Sequence, residues 1–442
     1  MSLAAGSLAI VLSHFGRKKT ESHEKGQGPF MKRINSSQLR DLLKPSCRIF
    51  VVGGSNEPIG LSNLLREAPE CARGVSFLQF PLPGMNTFDY TTLDETTHQE
   101  TFFLTPDLQE NFQSRRIDYL PMQMRYIYDY LCDTSLDIAF IQIGYDRNGT
   151  LRAGPNVDFW NAIMGNASVV VAELNRGMVC AAGAPVVRES DIDYVFESSR
   201  ALPQMESAQV DEVAATIGKN VASVIRDGDC LQTGIGAIPK AVLSALQGHN
   251  DLGLHGGLID DAGMSLIQSG VVTGCRKAKR KGAHVVGMAL GTDKLYDWLA
   301  DTPSVEFHSA NVTHEIEEIR CLDDFVSINS AVEIDLEGQI NAEVIGGRQI
   351  SGTGGSVDFM RSARVSKGGR SIIAMTATAK RGQASRIVPK VEIVTALRTD
   401  VDLVITEFGI ADLRNANQMA RLEALVAIAH PDFRSELLDS RR

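Results

Sequence analysis

The 442-residue chain has no excess of basic residues: 44 Lys and Arg stand against 54 Asp and Glu, for a formal net charge of −10. That excludes the electrostatic footprint of a protein that grips nucleic acid or an anionic membrane surface. Paired cysteine spacing is missing too. Seven cysteines (Cys47, Cys71, Cys132, Cys180, Cys230, Cys275 and Cys321) are scattered, odd in number and never arranged as CxxC. This argues against a disulfide framework or a zinc site, and for reduced thiols in a cytoplasm. The apolar stretch at residues 2–12 falls far short of the ~18–20 residues of a membrane span. Its basic residues Arg17, Lys18 and Lys19 follow the apolar run instead of preceding it, the reverse of a secretory signal. Residues 1–30 therefore read as a flexible extension, with a mitochondrial-type leader as the alternative because acids are scarce before Glu21. No repeat of short fixed period is visible.

What is present is an ordinary globular composition, 43% hydrophobic and 22% charged. The length suits two or three domains of ~100–200 residues. Short β-branched or apolar runs recur at residues 48–52, 75–80, 138–143, 169–174, 230–231, 285–288, 325–328, 371–375 and 402–406, with helical segments between them. Such alternation predicts α/β layers with mostly parallel sheets. A polar stretch at 203–207 precedes a helical pattern over 210–225. The expected division is an N-terminal α/β domain over 31–209 and a C-terminal α/β domain over 210–442.

The chain is organised around residues 231–274. There Gly234, Ile235, Gly236, Ala237 and Ile238 make a glycine turn that opens a helix, with Pro239 in its first turn. Such a turn lets backbone N–H groups approach a phosphate or a thioester oxygen; it also serves as a plain strand-to-helix connection. Glu57 follows the run 48–52 and the pair Gly53-Gly54. It is placed as a carboxylate at the C-terminal edge of a sheet, where α/β proteins put their sites, or as an acid facing a helix dipole. The string Ser351-Gly352-Thr353-Gly354-Gly355-Ser356-Val357-Asp358-Phe359 brings glycines with no Cβ to a helix start. Gly354 or Gly355 can offer a backbone N–H to a developing oxyanion, with Asp358 as a helix cap. The basic run Lys277, Lys279, Arg280 and Lys281 reads as a solvated turn, with contact to the phosphates of a ligand as the alternative. Glu173 reads as buried structural support.

These strings, in this order, resemble the acetyl-CoA hydrolase/transferase family that includes the 4-hydroxybutyrate CoA-transferases, from about Glu57 to the C-terminus. The carriers are the turn Gly234–Pro239, His255, residues 270–273, the string 351–359 and residues 404–414. The resemblance implies two α/β domains with the active site between them and a CoA thioester as substrate, with no further cofactor and no metal. It implies a small carboxylic acid as the second substrate and a homo-oligomer. It also implies substrate contact by Asn311, CoA contact by Lys380 and a place beside the acyl group for Glu407. In relatives a glutamate after a His-Thr pair attacks the thioester, giving a glutamyl-CoA intermediate. Here Gly256 and Gly257 occupy the Thr-Glu positions, and glycine cannot form that adduct. The expectation is an acyl-CoA:carboxylate CoA-transferase acting on an acid of acetate, butyrate or 4-hydroxybutyrate type. The alternatives are an acyl-CoA hydrolase or a CoA-thioester binder without turnover. Glu57 and Glu407 are the carboxylates that could take over from residue 257.

Overall fold

The computed structural model describes residues 31–206 and 208–440. The predicted N-terminal extension lies outside them. The first half builds a nine-stranded sheet from β1 (Lys32–Arg33), β2 (Arg48–Val51), β3 (Ser76–Gln79), β4 (His98–Thr101), β5 (Ile117–Tyr119), β6 (Leu136–Tyr145), β7 (Leu151–Ala153), β8 (Ala167–Val179) and β9 (Tyr194–Ser198). The order is β1-β9-β8-β6-β2-β3-β4-β5, with β7 on the edge of β6. Each of these neighbours pairs in parallel except β6 with β7. The central strands are near-continuous Val, Ile and Ala runs because parallel sheets are covered on both faces. Ile49, Phe140, Ile141, Val170 and Val171 are fully buried accordingly. The expected strands at 48–52, 75–80, 138–143 and 169–174 fall on β2, β3, β6 and β8. Strand β4, reading His-Gln-Glu-Thr, carries no apolar run. It pairs because β3 and β5 flank it, and Gln99 and Thr101 are buried on one face.

The second half holds a six-stranded sheet in the order Gly253–Leu254, Cys230–Thr233, Phe325–Asn329, Arg370–Ala374, Leu403–Thr406, Gly409–Asp412. Its pairings are parallel apart from the terminal hairpin. The helix Glu212–Ala222 starts where the Asp211 side chain accepts the N–H of Ala214. It packs on Ala237–Ala245 so closely that a Cβ on Gly218 would lie 2.6 Å from the Ala241 carbonyl oxygen. The run 285–288, expected as one strand, is split at Gly287. His284–Val286 pairs with Val305–Phe307, and Met288–Ala289 with Leu258–Ile259. Gly287 itself has no room for a side chain, since a Cβ there would lie 2.0 Å from Asp158 Oδ1.

Two seams join the halves. Residues 53–56, after β2, press on residues 288–289: the Ser55 hydroxyl donates to the Ala289 carbonyl oxygen at 2.8 Å. Residues 352–358 dock on the stretch 102–125. There Thr353 Oγ1 donates to the Met122 carbonyl at 2.6 Å, and the Met124 N–H donates to the Gly354 carbonyl at 3.1 Å. One correction concerns the basic run. Lys277 is buried, and its ammonium donates to the carbonyls of Leu254 (3.1 Å) and Ala283 (2.7 Å); it fastens two loops and faces no solvent.

Candidate active site

In a parallel sheet the loops leaving the C-terminal ends of the strands gather at one edge. In the six-stranded sheet those loops are the predicted motifs. Residues 234–236 leave Cys230–Thr233, His255-Gly256-Gly257 leave Gly253–Leu254, and Glu407 leaves Leu403–Thr406. The helix Ser356–Val365 packs on Phe325–Asn329 and Arg370–Ala374, and Gly354 and Gly355 precede its first turn.

The glycine turn is open. Nothing lies within 4 Å of a Cβ built on Gly234 or Gly236, and Gly236 has φ +115°, which favours glycine. Ile235 is 40% exposed, and Ala237 and Ile238 are partly covered. The turn thus presents backbone and an apolar side chain to solvent-filled space. Beside it, Gln232 and Asn329 exchange amide hydrogen bonds at 3.3 and 3.1 Å across neighbouring strands. Glu407 is partly exposed, and its Oε2 accepts the Ala377 N–H at 2.9 Å. Lys380 has φ +50° and is exposed at the tip of the hairpin formed by Thr378–Ala379 and Ala384–Ser385.

Gly257 is pinned by its carbonyl oxygen, which accepts the N–H groups of Gly287 and Met288, both at 3.0 Å. A Cβ built on it would meet Cε1 and Nε2 of His314, both at 3.3 Å, and Phe359 at 3.8 Å. No carboxylate is in that contact. Gly355 packs on the same imidazole, and a Cβ there would lie 2.3 Å from His314 Nε2. The His314 ring is buried against Phe359, with ring centroids 4.4 Å apart. Burial pushes its pKa down to about 3, so the ring is neutral at physiological pH.

Glu57 ends the turn Gly54–Asn56 that follows β2 and is 3% exposed. Gln79 Nε2 donates to its Oε1 and Asn86 Nδ2 to its Oε2, both at 3.0 Å. Burial raises its pKa, against these two amide bonds and the Arg200 charge, which lower it. Both oxygens are therefore engaged within the N-terminal half. Asn311 lies in the short helix Ala310–Thr313. Its Oδ1 is buried without a partner, and the residue lines a cavity of about 740 Å³ with Tyr128, Trp160, Asn161 and Arg188. Glu57, Glu407 and the glycine turn are not among the residues lining that cavity.

Asp358 does not cap its helix. The cap residue is Gly355, and Asp358 Oδ2 accepts the Arg125 N–H from the other half at 3.1 Å. Glu173 is fully buried support, accepting from Gly60 N–H (2.7 Å), Ser198 Oγ (2.6 Å) and Arg200 Nε (2.9 Å). Sequence reasoning missed His314 and Asp158. Neither sits in a linear motif; only the fold carries them to Gly257 and Gly287. A histidine three residues past Asn311 was the available signal for His314.

Two α/β units whose sheets are mostly parallel, with glycine turns and a carboxylate on the C-terminal edge of one sheet and a glycine loop docked between the units, define an enzyme of the CoA-transferase type. Residues 291–441 match the model of the acetyl-CoA hydrolase/transferase C-terminal domain. The chain is 35% identical over 414 residues to a 4-hydroxybutyrate coenzyme A transferase of Clostridium kluyveri, covering 92% of this chain and 96% of the relative. Among solved structures, RipA from Yersinia pestis superposes with a TM-score of 0.87 at 28% identity, over 92% of this chain and 96% of that one. A 4-hydroxybutyrate CoA-transferase from Porphyromonas gingivalis gives 0.78 at 31%, over 93% and 97%. The chain belongs to the acetyl-CoA hydrolase/transferase family. Among the described residues, no helix is long and apolar enough to cross a membrane.

Proposed function

We propose that this chain moves CoA between an acyl-CoA thioester and a small carboxylic acid of acetate, butyrate or 4-hydroxybutyrate type, by direct attack and without a glutamyl-enzyme. The observation that carries the reading is Gly257. No side chain there can form an adduct, and the space ahead of its Cα meets His314 and Phe359 instead of a carboxylate. Glu57 is a poor substitute because both its oxygens are already bonded.

In the direct route, a carboxylate oxygen of the acceptor bonds to the thioester carbonyl carbon and the C–S bond breaks. This gives a mixed anhydride and CoA thiolate. The thiolate then attacks the acceptor's carbonyl carbon, and the first acid leaves as its carboxylate. Both substrates must be bound together, so the glycine turn at 234–236, Gly354, Gly355 and Lys380 serve as CoA contacts in this reading, with Glu407 beside the acyl group. Asn311 takes part only by reaching the acid from the separate cavity it lines. Water in place of the acceptor acid gives hydrolysis. The reading further takes the chain to be a cytoplasmic homo-oligomer. The free state of all seven cysteines supports the compartment, and the family resemblance supports the assembly.

The test is two-substrate initial-rate kinetics with butyryl-CoA and radiolabelled acetate, alongside borohydride trapping. Intersecting reciprocal plots without a trapped adduct are expected. Parallel plots with an adduct on Glu57 or Glu407 would replace direct transfer with a relocated nucleophile. CoA release without acetate would make the chain a hydrolase, and binding without exchange or release would make it a thioester binder.

A further inference from the structure

Asp158 is 4% exposed, and its Oδ1 is a buried acceptor with no hydrogen-bond partner among the described residues. Burial raises its pKa to about 7, with no neighbouring cation or donor acting against it. A buried polar atom left in this state calls for an explanation. Asp158 lines a cavity of about 10 Å³, the room of a single water-sized group. Phe50, Phe80, Phe159 and Ile163 make much of the remaining wall apolar. Asn156, also in the wall, is already engaged: its Nδ2 donates to the Gly53 carbonyl and its Oδ1 accepts the Asp158 N–H, both at 3.0 Å. The cavity has neighbours in two loops of the candidate site. The point where a Cβ on Gly287 would stand is 2.0 Å from Asp158 Oδ1 and 3.1 Å from the Gly257 carbonyl oxygen. The Phe80 ring lies 5.7 Å from that of Phe103, whose Cα would be 3.0 Å from a Cβ on Gly352 in the glycine loop. A hole of this size and polarity suits a hydroxyl. Apolar walls disfavour a charged group, and a hydroxyl both donates and accepts. An ionised Asp158 accepts from it, and a neutral one also donates to it.

Resting on the acyl-CoA reading above, we propose that Asp158 is a specificity-determining residue that binds a hydroxyl at the far end of the acyl chain. The cavity it lines holds that hydroxyl. Gly287, between the carboxyl and residue 257, brings no side chain of its own into the space. A plain acyl chain of the same length leaves Oδ1 to a water or to no partner, so the site favours hydroxyacyl thioesters. The discrimination rests on a buried polar group that one ligand satisfies and the other does not.

The experiment is calorimetric titration of the full chain, Asp158→Asn and Asp158→Ala with uncleavable thioether analogues of 4-hydroxybutyryl-CoA and butyryl-CoA. The wild type is expected to bind the hydroxylated analogue roughly tenfold more tightly. D158N, whose amide both donates and accepts, should keep much of that ratio. D158A should bind the two analogues equally. A purely structural defect would weaken both alike and leave the ratio unchanged. Equal affinities in the wild type, or an undiminished ratio in D158A, overturn the proposal and leave the acyl-CoA reading standing. Failure of the wild type to bind either analogue overturns both. If D158A does not fold, difference infrared spectroscopy decides. The carboxyl band absent from D158N should shift when the hydroxylated analogue binds the wild type and stay in place with the plain one; any other pattern refutes the assignment.

Discussion

Gly257 and His314 are matched. The glycine leaves the space its side chain would need, and the imidazole takes part of it, with 3.3 Å from the would-be Cβ to the ring. That separation is tight enough for the ring to have to give way if a side chain is introduced. Gly257→Glu alone is accordingly expected to yield little or no borohydride-trapped glutamyl thioester. G257E combined with His314→Ala, which clears the ring, should yield a clear adduct. Mass spectrometry of the trapped protein checks this; equal trapping in the single and double variants would show that His314 does not compete for the space. Asp158 supplies a second residue-scale prediction. Its carboxyl is buried, Oδ1 has no partner, and burial alone raises its pKa from 3.8 to about 7. The folded state thus binds a proton that the unfolded state releases between about pH 4 and pH 7, so stability falls as pH rises through that window. Asp158→Asn should remove the burden. Its Tm should exceed the wild type's at pH 8 by at least about 2 °C, with the gain vanishing near pH 4; a gain of equal size at both pH values would show that Asp158 is not the titrating group.

At the scale of elements, the loop before Ser356–Val365 owes its path to glycines that have no room for a Cβ. A Cβ on Gly352 would lie 2.4 Å from the Phe102 carbonyl oxygen and 3.0 Å from the adjoining Phe103 Cα. These are backbone atoms, which cannot swing aside as a side chain end can. Gly352→Ala should cost about 1–3 kcal/mol, read by urea denaturation, and should weaken acyl-CoA binding by displacing Gly354 and Gly355. Gly354→Ala meets no neighbour within 4 Å and pays only for its φ of +57°. Its stability loss should be the smaller of the two, and the reverse order would contradict the packing argument. The sequence marked this string because glycines before a helix are conspicuous. It did not show that Gly352 is needed for the neighbouring chain, Gly354 for its own backbone angle and Gly355 for an imidazole, since each partner lies far away in sequence.

For the whole molecule, what matters is how the two sheets are brought together. The turn after β2 rests on Met288–Ala289, whose Met288 N–H in turn holds the Gly257 carbonyl. The glycine loop rests on residues 102–125. A site built across such seams suits two substrates held at once, which is why sequential kinetics are the whole-molecule expectation. The main strand runs, their mostly parallel pairing, the glycine turns and the glycine at position 257 were legible in the sequence. Each depends on local composition: β-branched runs bury both faces, glycine reaches positive φ, and glycine has no side chain to react. Strand β4 was not legible, because its place is set by neighbours on either side. Glu57 looked available from its position after a strand, whereas Gln79 and Asn86 hold both its oxygens. Lys277 looked solvated within a charge run, whereas two carbonyls bury it. Asn311 stood in the sequence only as a substrate contact, and the fold puts it in the wall of a cavity that neither Glu57 nor Glu407 lines. The sequence by itself determined the layered α/β architecture, the family and the absence of a glutamate at position 257, all properties of short stretches and their order. Only the tertiary structure decided that His314 faces that absence, because contacts between residues 257, 314 and 355 arise from packing three separate loops together.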